Sequence, residues 1–364
     1  MIDGAAVNVQ DYGAVGDGSN DDTTAIKNAV TSAVAAGKTL FFPSGVYLCN
    51  DVIGAINCSL LGNAWADTKI KYVGTNADFI TFGGKTIENL CFEVDNAAHA
   101  AYFTKTAASF QSFNNCQWIG PSNAASGALL YMNQSINIEI NGCFFVGHNI
   151  NLIGQDGGGA GFCNGVGISN TLFSDYNTAA IANGGQGWNL EQVVFEHGVD
   201  NLVRAIYTDT ACTWFGTSLT GCWFGDHTGT GPDAIIKWKG NGLFLAGCYL
   251  NGSGFLDTYV VELTGTSNGI NISGNYCGAF AGILNAGSYA TNVIVAANNL
   301  NPFTIEVNGT VTGLLLSSRN LQTPNVFFTP YALPASGAAE GQTVYDSATK
   351  KLYCWNGTSW NALF

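Results

Sequence analysis

The sequence predicts an all-β chain wound as a parallel β-helix, and two observations carry that prediction. From Asn89 onward a short phrase recurs: ENLCFEV, NNCQWIG, NGCFFVG, SNTLFSD, EQVVFEH, TGCWFGD and AGCYLNG, then more loosely SGNYCGA and AANNLNP. Its last large apolar residue falls at Phe92, Trp118, Phe145, Phe173, Phe195, Phe224, Leu250, Tyr276 and Leu300. The steps are 26, 27, 28, 22, 29, 26, 26 and 24 residues, one coil per step. The second observation is composition. Forty-seven glycines and only 10% charged residues suit many short strands joined by tight turns, and a repeat architecture lets 364 residues accumulate without a larger globular core.

Before the repeats stands one helical pattern. Val7 to Tyr12 alternates as a strand, and Gly13, Gly16 and Gly18 break the chain into a turn. Asn20 and Asp21 offer N-cap oxygens, and Asp22 adds negative charge to the first turn. Ile26, Ala29, Val30, Ala33 and Val34 then recur at helical spacing until Gly37, and a strand Thr39 to Phe42 follows. A single helix ahead of a long β region reads as a lid over its open end.

In DYGAVGDG, DDTTAIKNAV and LFFPSGVY, in that order and spacing, Val7 to Tyr47 resembles the N-terminal signature of the pectate-lyase-like superfamily, in the form found in bacteriophage tailspikes. The resemblance implies a right-handed, single-stranded parallel β-helix with an N-terminal capping helix, assembled as a homotrimer on a phage tail or baseplate protein. The expected organisation is a cap over 1–38, the β-helix over 39–325, and a linker with a small C-terminal β-module over 326–364. Thr329 to Ala339 reads as the linker. GQTVYDSATKKLYCWNGTSWNAL reads as two strands around Ser347 to Lys350, with Asn356-Gly357 a second turn. The tail resembles a module common near the ends of phage tail proteins; closing the open end of the helix is the reading favoured for it, over joining chains or touching sugar through Trp355 and Trp360.

Charge excludes some partners. Twelve Lys and Arg against a net charge of −13 leave no basic patch for nucleic acid or an anionic membrane. Met1 to Tyr12 lacks a basic start followed by an apolar core, and no apolar run reaches the roughly 18 residues of a membrane span, so neither a secretory signal nor membrane insertion is expected. Eleven cysteines without C-x-x-C pairs suit reduced thiols made in a host cytoplasm, for a protein that would act outside the cell as part of a virion tail. Cys116, Cys143, Cys222 and Cys248 lie two before the anchors and should point inward as small core residues, while Cys91 is one place out of register.

The chemistry is sought just after the anchors. Two places on come Asp175, His197 and Asp226 on successive coils, one place on comes Glu196, and three places on come His148, Tyr176 and His227. Three of the chain's four histidines fall in this column. At ~4.8 Å per coil, Asp175 and Asp226 would be ~10 Å apart, with Glu196 roughly 5 Å from each coil. Glycosidases need two carboxylates, ~6.5–9.5 Å apart for inversion or ~5 Å for retention, and neighbouring acids and histidines separate one another's pKa values. Asp175, Glu196 and Asp226 are thus the acid and base candidates, with His197 and His227 tuning them. The competing reading is that such Asp residues only satisfy turn backbone. GDHTGTGPD could also form a metal loop through Asp226, His227 and Asp233, but no ligand spacing is distinctive, and no metal or cofactor is expected.

One place before the anchors the chain should face outward. Phe144, Trp223 and Tyr249 stand there, and Trp188, Trp214 and Trp238 occupy the intervening segments. With Tyr176 they are candidate platforms for sugar rings, or contacts between chains of a trimer. The sequence favours a depolymerase that hydrolyses a bacterial capsule or O-antigen. A polysaccharide lyase would need cations near the column, where only Arg204, Lys237 and Lys239 stand. A non-catalytic glycan receptor-binding spike would show the same repeat and aromatics.

Overall fold

The computed structural model describes residues 6–75, 78–95, 101–106, 109–121, 127–133, 135–154, 163–182, 185–198, 204–207, 214–225, 234–251, 259–278, 280, 282–286, 290–299, 304–307, 311–313, 315–317, 325–327, 343–346, 348–349 and 351–362. Three parallel sheets, of 14, 11 and 12 strands, make a β-helix, and the chain visits them in turn, one strand each per coil. The first sheet runs from Val7–Asn8 to Leu315–Ser317, the second from Asp17–Asp21 to Tyr276–Gly278, and the third from Gly54–Ile56 to Asn325–Phe327. No described helix is long and apolar enough to cross a membrane.

The repeat anchors form the spine of the core. Phe92, Trp118, Phe145, Phe173, Phe195 and Phe224 occupy one register column of the second sheet, all buried. Strand spacing brings consecutive rings into stacking distance: Trp118–Phe145 at 4.7 Å and 3°, Phe145–Phe173 at 4.9 Å and 12°, Phe173–Phe195 at 5.5 Å and 10°, Phe195–Phe224 at 4.7 Å and 17°. Branched aliphatics face them: Ile140, Ile168 and Leu190 from the first sheet, Leu152, Ile181 and Ile206 from the third. The column continues through Leu250 to Cys277, not Tyr276, which pairs with Tyr249 and is exposed. The small thiol takes the inner position there, and the large ring goes outside. Leu300 lies outside the described residues.

Cys116, Cys143, Cys222 and Cys248 are buried free thiols, and each Sγ approaches a backbone carbonyl of the preceding coil, as Cys143 does Phe113 O at 3.4 Å. Toward the C-terminal end asparagine takes over this column. Asn275 Oδ1 accepts from Cys248 N at 2.9 Å, and its Nδ2 donates to Leu245 O at 2.9 Å. Cys91 is buried one place before its anchor, as its register suggests.

The N-terminal cap departs from the expectation in detail. Only Val7–Asn8 pairs as a strand, with Leu40 and Phe41; Val9–Tyr12 is a 3-10 turn, because Asn8 Oδ1 accepts from Gln10 N and Gly13 closes it at φ 96°. Helix Thr23–Ala36 follows and stops at left-handed Gly37. Asp22 occupies its N-cap without capping it. Its buried carboxylate instead accepts from Val15 N at 2.6 Å and Gly16 N at 3.1 Å, tying the glycine turn to the helix. Asp21 does the local capping, accepting from Thr23 N at 3.0 Å, while Asn20 donates to Asp17. Gly16 has φ 68°, and a Cβ there would meet the Tyr47 ring at 2.9 Å, so glycine is required.

At the other end the antiparallel sheet has three strands, Thr343–Asp346, Lys351–Trp355 and Trp360–Ala362, one more than expected. Asp346 accepts from Thr349 N at 2.9 Å in the first turn, and Asn356 Oδ1 accepts from Thr358 N at 3.0 Å and Ser359 N at 2.9 Å in the second. Those side-chain oxygens explain both turns. The cross-strand pair Trp355–Trp360 lies at 5.4 Å.

Left-handed residues also stack in columns. One on the first sheet runs Phe110, Asn137, Gly165, Gly187, Gly216, Gly242, Gly269, Asn292 and Gly313, with φ between 52° and 74°. Asn and Gly tolerate this conformation, but Phe110 does not, and it is 73% exposed. A second column closes the strands of the second sheet: Gly147, Asp175 and His197, at φ 82°, 57° and 52°.

Candidate functional site

The outer face of the second sheet changes character along its length. Near the cap it is charged: Glu93 pairs with Lys69 and, at 2.9 Å, with Lys71, which also reaches Asp95 at 3.0 Å. Burial alone would raise the Glu93 pKa, but the two lysines outweigh it and hold the carboxyl below its usual 4.5. Beyond this network Trp65 folds back onto half-buried Phe144 at 5.1 Å.

The next coils carry the candidate acids. The anchors Phe173 and Phe195 point inward, so Ser174 and Glu196 point outward, and the two are directly paired in the ladder. At the next residue the strands turn left-handed, at Asp175 and His197. The turn swings the His197 ring back over the paired side chains, with Nδ1 3.3 Å from Ser174 Oγ and 3.7 Å from Glu196 Oε1. The Glu196 side chain is 23% exposed and that of His197 51%. Among the described residues neither Asp175 nor Glu196 accepts a hydrogen bond. The turn therefore does not consume the Asp175 carboxylate, which is what a purely structural Asp would show.

Tyr176 follows Asp175 but is fully buried beneath the site. Burial pushes its phenol pKa well above the usual value, and the charge of Glu196 adds to the rise. Tyr176 cannot serve as a surface platform. Trp188 and Trp238 are buried too, because their indole N–H groups donate to Cys163 O at 3.0 Å and Gly240 O at 3.3 Å inside the coil. His148 is fully buried, on the coil before Tyr176. Trp214 contributes its backbone to the first sheet, and its side chain, like Asp226, His227 and Asp233, lies outside the described residues.

The exposed aromatics begin one coil past Glu196. Glu196 pairs with Gly225, and a Cβ on Gly225 would meet Trp223 Cη2 at 2.5 Å, so the indole lies across that glycine, beside the acid. Trp223, Tyr249 and Tyr276 then stack in one column, at 6.4 Å and 7°, then 4.9 Å and 4°. This geometry corrects the expectation of open platforms. The two faces of Tyr249 meet its neighbours, so Tyr249, 43% exposed, presents its edge and hydroxyl sideways, while Tyr276, 47% exposed, has one face on Tyr249. Ser174 was missed in the sequence; its only signal was its place in the Glu196 column.

On the third sheet Arg204 Cζ and Lys237 Nζ approach the Tyr207 ring at 5.6 and 5.7 Å. Among the described residues no group of three His, Cys, Asp or Glu is placed to hold a metal ion.

Fold and site together define a parallel β-helix with two carboxylates that accept no hydrogen bond among the described residues, one of them beside His197, and an aromatic column on the same outer face. The family model described as rhamnogalacturonase A/epimerase, pectate lyase-like, matches residues 6–223, more than half of the chain, and the chain belongs to that family. Among solved structures it is similar to the A-module of the mannuronan C-5 epimerase AlgE6 of Azotobacter vinelandii, at 16% identity and TM-score 0.57, covering 86% of this chain and all of that one. It is also similar to ORF18 of Geobacillus virus E2, at 17% identity and TM-score 0.50, covering 99% and 86%. The surface adhesin PfbA of Streptococcus pneumoniae matches at 13% identity and TM-score 0.54, covering 99% and 98% of the two chains. In sequence, the plasmin and fibronectin-binding protein A of that organism is 44% identical over 50 residues, 13% of this chain and 7% of that protein. The chain thus spans less than a tenth of that curated relative's length.

Proposed function

We propose that this protein is a polysaccharide depolymerase of a phage tail, hydrolysing a bacterial surface glycan of the capsule or O-antigen class. The observation that carries the reading is the pair Asp175 and Glu196, on adjacent coils, both partly exposed and free of hydrogen bonds among the described residues, with His197 Nδ1 3.7 Å from Glu196. One protonated and one ionised carboxyl can feed the leaving oxygen and attack or activate water. Adjacent coils are ~4.8 Å apart along the axis, and the one-residue offset between Asp175 and Glu196 adds to that separation, so the pair is compatible with retention or with inversion. Pairing Asp175 with Asp226, two coils away, would suit inversion. Trp223 and the edges of Tyr249 and Tyr276 extend the site along the helix, offering apolar contact and hydroxyls to sugar.

The family and its carbohydrate-acting neighbour, the epimerase, support a carbohydrate-binding or carbohydrate-processing protein, and the viral neighbour supports the phage setting. Homotrimeric assembly, attachment to a tail or baseplate protein, and the division into cap 1–38, β-helix 39–325 and C-terminal module 326–364 belong to the same reading. Two alternatives have their own observations. The cations beside Tyr207 would favour a lyase acting on a uronate, and the adhesin neighbour a binding spike without catalysis, for which glycan is the ligand this reading supposes.

The test is incubation with a panel of purified capsules and O-antigens, following new reducing ends together with the ultraviolet absorbance of unsaturated uronates. Reducing ends alone support hydrolysis, while added absorbance gives the case to a lyase. Binding without either product identifies a spike.

A further inference from the structure

We propose that Ser174 is a positioning residue that holds the His197 ring so that Nε2, not Nδ1, exchanges protons with a bound glycan or its water. The inference rests on the carbohydrate-acting reading and deepens it. Ser174 is only 4% exposed, unusual for a serine on the outer face of a sheet, and it sits directly beside Glu196 in the ladder. Its hydroxyl lies 3.3 Å from His197 Nδ1, and Glu196 Oε1 lies 3.7 Å from the same nitrogen. A serine nucleophile relayed through histidine needs hydroxyl and carboxylate on opposite ring nitrogens, so this geometry excludes Ser174 as a nucleophile.

Both groups converging on Nδ1 gives them a different use. A hydroxyl oxygen can accept, so a proton on Nδ1 is donated to Ser174 Oγ, and the Glu196 carboxylate at 3.7 Å, beyond hydrogen-bond distance, favours that proton by its charge. The neutral ring then carries its lone pair on Nε2, at the end away from Ser174, in a side chain that is 51% exposed. Nε2 takes a proton from water or a sugar hydroxyl, the ring becomes imidazolium with Nδ1–H still held, and the proton is returned in the reverse step. The ring reaches this position because residue 197 is left-handed, at φ 52°, a conformation histidine adopts more readily than most side chains. Among the described residues the titratable groups around the ring are Glu196, Asp175 at the equivalent position of the preceding coil, and buried Tyr176.

The experiment is a long-range proton–nitrogen correlation spectrum of the whole protein labelled with nitrogen-15 histidine. His197→Asn identifies the His197 resonances among the four histidines. The Nδ1–H tautomer is expected for the neutral ring in the wild type and in Ser174→Thr, which keeps the hydroxyl. In Ser174→Ala the population should move toward Nε2–H, the form that free imidazole side chains prefer. A wild type mostly in the Nε2–H form, or a tautomer ratio unchanged in Ser174→Ala, overturns the proposal. The readout needs no substrate. A protein that cleaves no glycan but holds the Nδ1–H tautomer refutes the depolymerase reading and supports this one, and the opposite pair of results refutes this one alone.

Discussion

Phe110 is where the fold carries a conformational cost that can be measured. It occupies the left-handed column filled elsewhere by Asn137, Gly165, Gly187, Gly216, Gly242, Gly269, Asn292 and Gly313. Holding a bulky residue there costs about 1–2 kcal/mol. Phe110 recovers little through burial. Full burial of a phenylalanine contributes about 1.5–3 kcal/mol, and Phe110 is 73% exposed, which leaves about a quarter of that, roughly 0.4–0.8 kcal/mol. Phe110→Asn should therefore stabilise the coil by about 0.5–1 kcal/mol, raising the melting midpoint by a degree or two. The mirror change on the next coil, Asn137→Phe, puts the same ring on an exposed left-handed residue and should lower it. Differential scanning calorimetry of the two variants checks both directions. A fall in the Phe110→Asn midpoint, or no loss in Asn137→Phe, would refute the reasoning.

Further predictions follow from the same geometry. Phe173→Ala removes a fully buried ring stacked on both faces and should cost about 3–5 kcal/mol, seen as a clearly lowered melting midpoint; a change of under a degree would contradict the ladder. Gly225→Ala should displace the Trp223 indole, shift the tryptophan emission and weaken glycan binding while the midpoint hardly moves. The pKa of Glu93 is lowered by folding, so its pairing contributes stability above the unfolded value and loses it as pH falls through the folded one. Glu93→Gln should therefore flatten the decline of the midpoint below pH 4.5, and an unchanged acid limb argues against the network. Burial pushes the thiols of Cys163 to about 11 and of Cys91 and Cys277 to about 12, so peptide mapping after iodoacetamide at mildly alkaline pH should find them unmodified in the native protein and half-exposed Cys354 modified.

The parts of the fold legible in the sequence were those written as a period. Phe92 to Phe224 could be aligned because each coil places one large apolar residue in the same inward column, and the thiols two places before them followed. Tyr276 slipped because the alignment follows the largest apolar residue, whereas the inner column there accepts Cys277 and the outer stack takes the tyrosine. The site was legible only in part. Glu196, His197 and Asp175 come together because one short strand and one turn set their positions. The burial of Trp188 depends on a contact across coils, its hydrogen bond to Cys163, that no local pattern records; Tyr176 and Trp238 are likewise fully buried. Asp22 was misread for a related reason: its partners, Val15 and Gly16, belong to the turn before it and not to the helix it precedes.

The central claim is that Glu196 performs proton chemistry or nucleophilic attack on a glycan. Its most direct test compares wild type and Glu196→Gln on one glycan that the wild type cleaves, measuring reducing-end release and binding on the same samples. The account predicts that release falls by about 10²-fold or more with binding retained, because the amide keeps the shape and loses the charge and the proton. Undiminished release from Glu196→Gln would place the chemistry elsewhere on the helix.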